Sequence, residues 1–422
     1  MGRLVWILLG VFALILGWGV RLAVFTWVAF VVFGLAALSA LVGFLALRGV
    51  RAGRRISTDR VSLNGQLAVE VTVENEKRLP VLWLSARDTV PPGLLVVGKR
   101  GQVAGMRGRG RLQFGYRLVG LRRGYYRIGP VIVRSGDFFG LARREMRGDS
   151  LDFVTVYPRV VPLERVALAG VRSIGDVRLR RRAFEDPTRI AGVREYRHGD
   201  EFSRIHWKAT ARTGALKSKL YDVSSQLQIT IVANLNEREY PGHRTAAAET
   251  AELVLVAAAS LASYALGHRQ RVGLLSNGGD ARQREAYLAA QQIESTARQK
   301  YGGRWEPNGQ VVRLAADRDP EQLARLLTLL GRLEFSAGPA LSALLSKEQA
   351  RLPWAELLLV ITPSSDLATI ASLQRLRRAG FAVSVLVAGR SAEADRAYTA
   401  LVGQDIESHR VREEIDLHAV GL

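Results

Sequence analysis

Residues 4–47 contain one charge. Leu4 to Val20 and Leu22 to Leu47 are apolar runs interrupted only by Arg21. One helix over this stretch would be about 66 Å long at 1.5 Å per residue. A bilayer's hydrocarbon core is only about 30 Å thick. The length therefore predicts two membrane-spanning helices joined by a tight turn near Gly17-Trp18-Gly19-Val20-Arg21. A cleaved signal peptide is the competing reading. It fits less well, because no small-x-small cleavage site separates the two runs. Arg3 precedes the first run, and Arg48, Arg51, Arg54 and Arg55 follow the second. Cytoplasmic flanks carry the excess of Lys and Arg, so both ends and the body of the chain are expected in the cytoplasm.

The charge balance points the same way. The net charge is +21, and residues 48–150 hold 21 Lys/Arg against 8 Asp/Glu. A basic body beside a membrane segment is drawn to anionic membrane lipids, by about 1 kcal/mol per basic side chain near the surface. Nucleic acid is the competing partner for such charge, and the adjoining apolar runs favour lipid over it. There is no Cys. A disulfide framework and thiolate metal sites are thereby excluded, in keeping with a reducing compartment.

After the apolar runs the pattern turns to strands. LAVEVTVEN (67–75) alternates apolar and polar residues with period two. Val81–Ala86, Leu112–Val119, Tyr125–Arg127 and Val131–Val133 follow, separated by Asn64-Gly65, Pro91-Pro92-Gly93 and Gly129-Pro130. Short strands at this spacing predict a small antiparallel sandwich. The Gly105-x-x-Gly108-x-Gly110 run lies within it and opens no helix, so it reads as a hairpin loop and not a phosphate cradle. Val166–Arg182 is a basic connector.

The densest chemistry lies between Ile190 and Tyr221. Arg194, Tyr196, Gly199, Asp200, Arg204, Ile205, His206, Trp207, Ala211 and Arg212 fall within nineteen positions. A Gly-Asp pair stands mid-segment, where a turn would fall. On these residues the stretch resembles the bacterial domain-of-unknown-function family fifty-eight. That family's signature runs Arg-x-Tyr-x-x-Gly-Asp, then Arg-x-Ile-x-Trp, then Ala-Arg. Asp137, Phe139 and Gly140 also match an Asp-x-Phe-Gly turn that precedes the signature in the family. Two readings of the signature are open. In one it is a structural clasp, with Asp200 accepting from an Arg fork and Trp207 filling a core pocket. In the other it meets a partner or ligand directly.

From Leu227 strands and helices alternate. LQITIVANL, Arg271–Ser276, Glu356–Thr362 and Phe381–Ala388 read as strands. Ala246–Leu266, Pro320–Leu333, Pro339–Leu352 and Leu367–Ala379 read as helices. This order predicts a parallel sheet covered on both faces. It resembles a von Willebrand factor A-like domain, which members of the family carry after the signature. Such folds often hold Mg²⁺ with an Asp-x-Ser-x-Ser loop. Here the equivalent positions are Asn234, Asn236 and Arg238. A neutral amide and a cation there argue against a divalent ion. Thr362, Ser364, Ser365 and Asp366 offer oxygens at a strand end, where capping of the next helix is the simpler role. His206 and Asp200 are the one acid–base pair to weigh. No second carboxylate or Ser nucleophile accompanies them at a recognisable spacing.

The expected architecture is thus multi-domain: an N-terminal transmembrane helical hairpin, a small antiparallel β-sandwich, then an α/β von Willebrand factor A-like (Rossmann-like) domain. The boundaries are two transmembrane helices at 1–48, the sandwich at 49–165, and connector plus signature at 166–226. The A-like domain follows at 227–390 and a polar tail at 391–422. The expected role is that of a membrane-anchored, non-enzymatic interaction protein of the bacterial plasma membrane, without cofactor or metal. Arg194, Tyr196, Gly199, Asp200, Arg204, His206, Trp207 and Arg212 are its candidate partner-binding residues. The family resemblance implies a MoxR-type AAA+ ATPase as partner, in assembly or remodelling of an envelope complex. A membrane-bound hydrolase using Asp200 and His206 is the alternative, and a basic nucleic-acid-binding protein a third. The topology has a direct check. Protease added to intact spheroplasts should spare a C-terminal tag and remove it after lysis.

Overall fold

The computed structural model describes residues 2–19, 23–137, 142–163, 185–197, 200–223, 228–295, 311–352 and 356–419. The chain divides into two units, Met1–Tyr157 and Pro158–Leu422. Small residues let the two apolar runs of the first unit lie side by side as α1 (Gly2–Gly19) and α2 (Ala23–Ala46). A Cβ on Gly17 would meet Thr26 Oγ1 at 2.6 Å, and one on Gly10 would meet the Phe33 ring at 3.0 Å. The helices therefore run antiparallel in close contact, as glycine permits. Trp27, Phe30, Val31 and Leu41 of α2 are left uncovered by protein.

The first unit continues with β1 (Val50–Ile56), β2 (Arg60–Val61), β3 (Gln66–Asn75), β4 (Val81–Asp88), β5 (Leu94–Val97) and β6 (Gly101–Met106). Then come β7 (Arg111–Gly120), β8 (Gly124–Ile128), β9 (Val131–Gly136), β10 (Arg143–Arg147) and β11 (Asp152–Val156). Two four-stranded antiparallel sheets, β1-β3-β7-β5 and β10-β9-β4-β6, share one core. A third small sheet, β2-β11-β8, includes a parallel pair. Period-two patterning determines which side chains turn inward: Leu67, Val69, Val71 and Val73 of β3 are buried. Gly105 lies inside β6, not in a hairpin loop as expected. The turn itself falls at 107–110, where a Cβ on Gly108 would sit 1.9 Å from the Arg78 carbonyl oxygen.

Arg54, counted from sequence among the membrane-flanking cations, is instead internal. Its side chain and that of Asp88 are both 0% exposed. The guanidinium donates to Asp88 Oδ1 (2.7 Å), Asp152 Oδ2 (2.7 Å) and the Ile128 carbonyl (2.7 Å), and Tyr116 Oη donates to Asp88 Oδ2 (2.6 Å). Strand alternation turns Arg54 inward, opposite to Arg51 and Arg55.

The second unit opens with β12 (Glu185–Glu195), α3 (Trp207–Thr213) and β13 (Lys217–Val223). An α/β region follows: β14 (Gln228–Ala233), α4 (Arg244–Gly267), β15 (Arg271–Ser276), β16 (Gly279–Asp280), α5 (Ala281–Ser295), β17 (Val312–Asp317), α6 (Gln322–Arg332), β18 (Leu333–Glu334) and α7 (Leu341–Glu348). It ends with β19 (Leu357–Thr362), α8 (Leu367–Arg378), β20 (Ala382–Ala388), α9 (Ala392–Gly403) and β21 (Glu407–Val411). The six-stranded sheet runs β17-β15-β14-β19-β20-β21, parallel throughout except for the edge strand β17. Ile229 and Ile231 of β14 face the core shared with α4 and α6, and Val232 faces that of α7, α8 and α9. Coverage on both faces explains why β14 from Ile229 onward and all of β19 are buried at every position. α4 has the same 24-residue length as α2 and is also apolar enough to cross a membrane. Its side chains from Val254 to Ala259 are all buried, so it is the central helix of this core.

Two expectations change here. The segment from 391, expected as a polar tail, supplies α9 and the sheet's last parallel strand. Ala394, Ala397 and Leu401 are its buried stripe, hidden in the sequence by polar neighbours. Val312–Asp317, given no element from sequence, forms β17. The basic connector at 166–182 lies outside the described residues. The buried ion pair generates a contrast. Arg54→Ala should cost about 3–5 kcal/mol by leaving Asp88 unpaired. Arg51→Ala, whose partner Glu76 is in solvent, should cost no more than about 1 kcal/mol. Denaturant unfolding of the full chain in detergent checks both.

Candidate functional site

The signature is a helical insert stitched across the ends of a two-stranded ribbon. β12 and β13 pair antiparallel, with Arg194 opposite Ser218 and Glu195 opposite Lys217. Beyond the ribbon the Tyr196 N–H donates to the Leu216 carbonyl (3.0 Å), and the His206 N–H to the Lys217 carbonyl (2.8 Å). Ile205 is the inward anchor, 2% exposed.

Asp200 organises the turn before the helix. Arg194 Nη2 donates to its Oδ1 at 2.7 Å, and the Arg197 N–H to its Oδ2 at 3.0 Å. Tyr196 Oη donates to its backbone carbonyl at 3.2 Å. The Arg194 guanidinium first, and the Arg197 N–H second, hold the Asp200 carboxyl below the usual carboxylate range. A carboxyl shifted down stabilises the fold fully above its unfolded value, about 3.9. That contribution is lost as pH falls through the lower folded value. The clasp expected from sequence is present here, built on Arg194. Arg204 ends the 3-10 turn Phe202–Arg204 and adds its positive charge to the field at Asp200. Gly199 lies outside the described residues.

His206 is the N-cap of α3. Its Nδ1 accepts the Ala209 N–H at 3.1 Å. The helix closes at Gly214, in the left-handed conformation (φ 69°), with Arg212 exposed on its last turn. Asp200 and His206 are each engaged elsewhere, and no hydrogen bond joins them among the described residues. The expectation that Trp207 fills a core pocket is not met. Trp207 is 66% exposed. Ile205 takes the buried position, and the cap at His206 starts the helix with Trp207 turned outward. Phe202, not singled out from sequence, is 78% exposed beside Tyr196, with ring centroids 6.5 Å apart. Two uncovered aromatic rings thus stand on a frame held by Asp200, in the company of Lys208 and Arg212.

A second candidate lies in the α/β region. Its strand order reverses between β14 and β19, the place where open parallel sheets form a crevice. Asn234 Nδ2 donates to Glu239 Oε2 (2.7 Å) and Thr362 Oγ1 (2.9 Å), and Asn277 Nδ2 donates to Asn234 Oδ1 (2.8 Å). Glu239 Oε1 accepts the Leu341 N–H at 2.8 Å. Arg238 does not take the last place of a metal loop. Its N–H donates to Asn236 Oδ1, its side chain is exposed, and the neighbouring Glu239 is the inward group. Asp366 caps α8 through the Thr369 N–H (2.8 Å), the role expected for it. Glu239 and Asn277 escaped the sequence reading. Asn277 carried a signal, an amide directly after a buried strand.

The comparisons bear on the first of these sites. Residues 192–317 match the family model described as Protein of unknown function DUF58. The DUF58 match starts within β12, takes in the whole signature and ends with β17. Over 214 residues the chain is 27% identical to the uncharacterized protein YeaD of Bacillus subtilis (strain 168), covering 47% of this chain and 51% of the relative. The chain thus spans about half the length of that curated relative. Among solved structures, an aerotolerance-related membrane protein from Bacteroides fragilis is similar at 12% identity, with a TM-score of 0.29. That match covers 46% of this chain and 94% of the other. A CARDB domain from Pyrococcus furiosus is similar at 15% identity and a TM-score of 0.19, covering 25% and 86%. Likenesses this weak assign no fold.

The two faces of the signature should respond differently to truncation. Ile205→Ala should cost about 2–5 kcal/mol of stability. Trp207→Ala should stay within about 0.5 kcal/mol of wild type. Denaturant unfolding followed by circular dichroism checks the pair.

Proposed function

We propose that the chain is a membrane-anchored docking protein of the bacterial plasma membrane, non-enzymatic, with its soluble units in the cytoplasm. The observation that carries the docking role is the exposure of Phe202 and Trp207 on a frame tied by the Arg194–Asp200 pair. A monomer gains nothing by holding two large rings in water, whereas aromatic residues and Arg dominate the energy of interfaces. The uncovered apolar surface of α2, with its following cations, supports the anchor. Two spans, α1 and α2, are part of this reading.

The α/β region reads as a von Willebrand factor A-like domain. Its parallel order and the crevice at Asn234 and Thr362 support that reading. Crevice oxygens already engaged by amides favour direct contact with a protein partner over a contact bridged by a cation. The partner proposed for the signature is a MoxR-type AAA+ ATPase, as the family resemblance implies, in assembly or remodelling of an envelope complex. Against the hydrolase reading, Asp200 and His206 spend their acceptor atoms on Arg194, Arg197 and Ala209.

Detergent-solubilised full chain, tagged and immobilised, should retain the purified ATPase. Phe202→Ala with Trp207→Ala should weaken that retention by about 2 kcal/mol or more, roughly 30-fold in Kd. Equal retention by the double variant would remove the aromatic pair from the interface. Ester or phosphoester turnover lost on His206→Ala would replace docking with catalysis.

A further inference from the structure

We propose that the two turns at 76–80 and 107–110 form a tip that sits in the anionic headgroup layer of the membrane. This rests on the membrane anchoring proposed above. Strand register places both turns at one end of the first unit. Val50, where β1 starts just after α2, stands opposite Asn75, the last residue of β3. Glu74 stands opposite Arg111 at the start of β7, and Val81 at the start of β4 stands opposite Met106 at the end of β6. The turns leaving β3 and β6 therefore lie at the end where the chain leaves α2. Direct bonds tie them to it. Lys77 donates to the carbonyls of Leu45 and Ala46, the last residues of α2, and the Glu76 N–H donates to the Gly49 carbonyl at 2.8 Å. The tip is thus within one Lys side chain of the helix end. Just past that end the Arg48 guanidinium lies 3.9 Å from the Phe44 ring centroid, a pairing suited to the headgroup level.

The two turns are joined into one piece. Buried Asn75 donates through Nδ2 to the Leu79 carbonyl (2.9 Å) and the Arg107 carbonyl (3.0 Å), and the Arg109 N–H donates to the Lys77 carbonyl (2.8 Å). The charges at this end do not cancel. Residues 48–51, 74–80 and 106–111 carry seven Lys or Arg against two Glu. Glu74 pairs with Arg111 and Glu76 with Arg51. Arg78, Arg107 and Arg109 are exposed, and no ion pair reaches them among the described residues. Leu79, beside Arg78, is 55% exposed. Arg109 adds an independent sign. It stands between Gly108 and Gly110, yet it is the residue at φ 54°, in the left-handed region that favours glycine. Strain accepted at an exposed arginine points to a use for its side chain. Guanidinium groups in excess around an apolar side chain match lipid phosphates with hydrocarbon beneath them. Nucleic acid offers phosphates but no apolar layer for Leu79, and the bonds to the end of α2 bring the tip to lipid.

The chain has no Cys, so one introduced Cys takes a fluorophore at a single place. Leu79→Cys puts an environment-sensitive label on the tip. Lys99→Cys puts it just before β6, at the opposite end of β4 and about 20 Å away along the strands. The full chain is placed in nanodiscs of mixed phosphatidylglycerol and phosphatidylcholine. The Leu79→Cys label should be shielded from acrylamide about threefold or more better than the Lys99→Cys label. Shielding should fade as phosphatidylcholine replaces phosphatidylglycerol. Arg109→Gly relieves the backbone, so the unfolding midpoint should not fall. The same variant should raise the phosphatidylglycerol fraction needed for half shielding about fivefold. Arg78→Glu with Arg107→Glu should abolish the shielding while circular dichroism stays unchanged. Equal quenching of the two labels in phosphatidylglycerol, or full shielding in the double Glu variant, overturns the proposal. Shielding that appears only on addition of duplex DNA overturns lipid as the partner. An alkaline carbonate wash of native membranes separates the two levels. Release of the chain sinks the anchor and the tip together. Retention with a freely quenched Leu79→Cys label sinks the tip alone.

Discussion

A polar group taken out of water must meet a partner, and that requirement shapes the joints of this molecule. Where α2 meets the β-sheets, Ser39 and Asp137 answer each other inside an otherwise apolar contact. At the C-terminal end of α2 the Lys77 ammonium donates to the carbonyls of Leu45 and Ala46, and burial lowers its pKa. A cation there meets the negative end of the helix dipole and two carbonyls with no partner further along the helix. The apolar hairpin and the sheets behind it are thus joined by specific bonds as well as by the chain.

Inside the sheets the requirement is met by Arg54. Its guanidinium gathers Asp88, Asp152 and the Ile128 and Ser150 carbonyls from three segments distant in sequence. Asp88 in turn accepts from the Tyr116 hydroxyl, whose pKa burial raises far above the ordinary phenol value, with the Asp88 hydrogen bond adding to the shift. Such a cluster adds little net stability over an apolar core of the same shape. Removing one member is costly, because the others remain buried and charged.

The second unit handles the same problem in two ways. At the β14–β19 crevice a set of amides and one carboxylate saturate one another, so the place where parallel sheets usually bind ligands is filled by the protein's own groups. In the signature, Asp200 is satisfied by Arg194 and Arg197, and the aromatic residues beside it are left in water. The unit thus shows polar closure in one place and apolar exposure in the other.

Much was legible in order along the chain. Uninterrupted apolar length gave α1 and α2, period-two alternation gave β3 and β7, and buried runs gave β14, β19 and β20. These patterns are local, and local sterics with one-sided burial are enough to produce them. That Asp200 accepts from an Arg was legible as one of two readings, and the structure shows which Arg it is, Arg194, six residues away. The outward turn of Trp207, the burial of Arg54, the inward Glu239 and the strand at Glu407–Val411 were not. Each depends on which neighbour claims the interior first: Ile205 over Trp207, Asp88 for Arg54, Asn234 for Glu239, β20 for β21. Sequence by itself determined which segments are apolar, extended or helical. Only the tertiary structure decided which polar groups are paired and which faces stay open, because that depends on packing between segments: Arg54 meets Asp88 and Asp152, and Glu239 meets the Leu341 N–H as well as nearby Asn234.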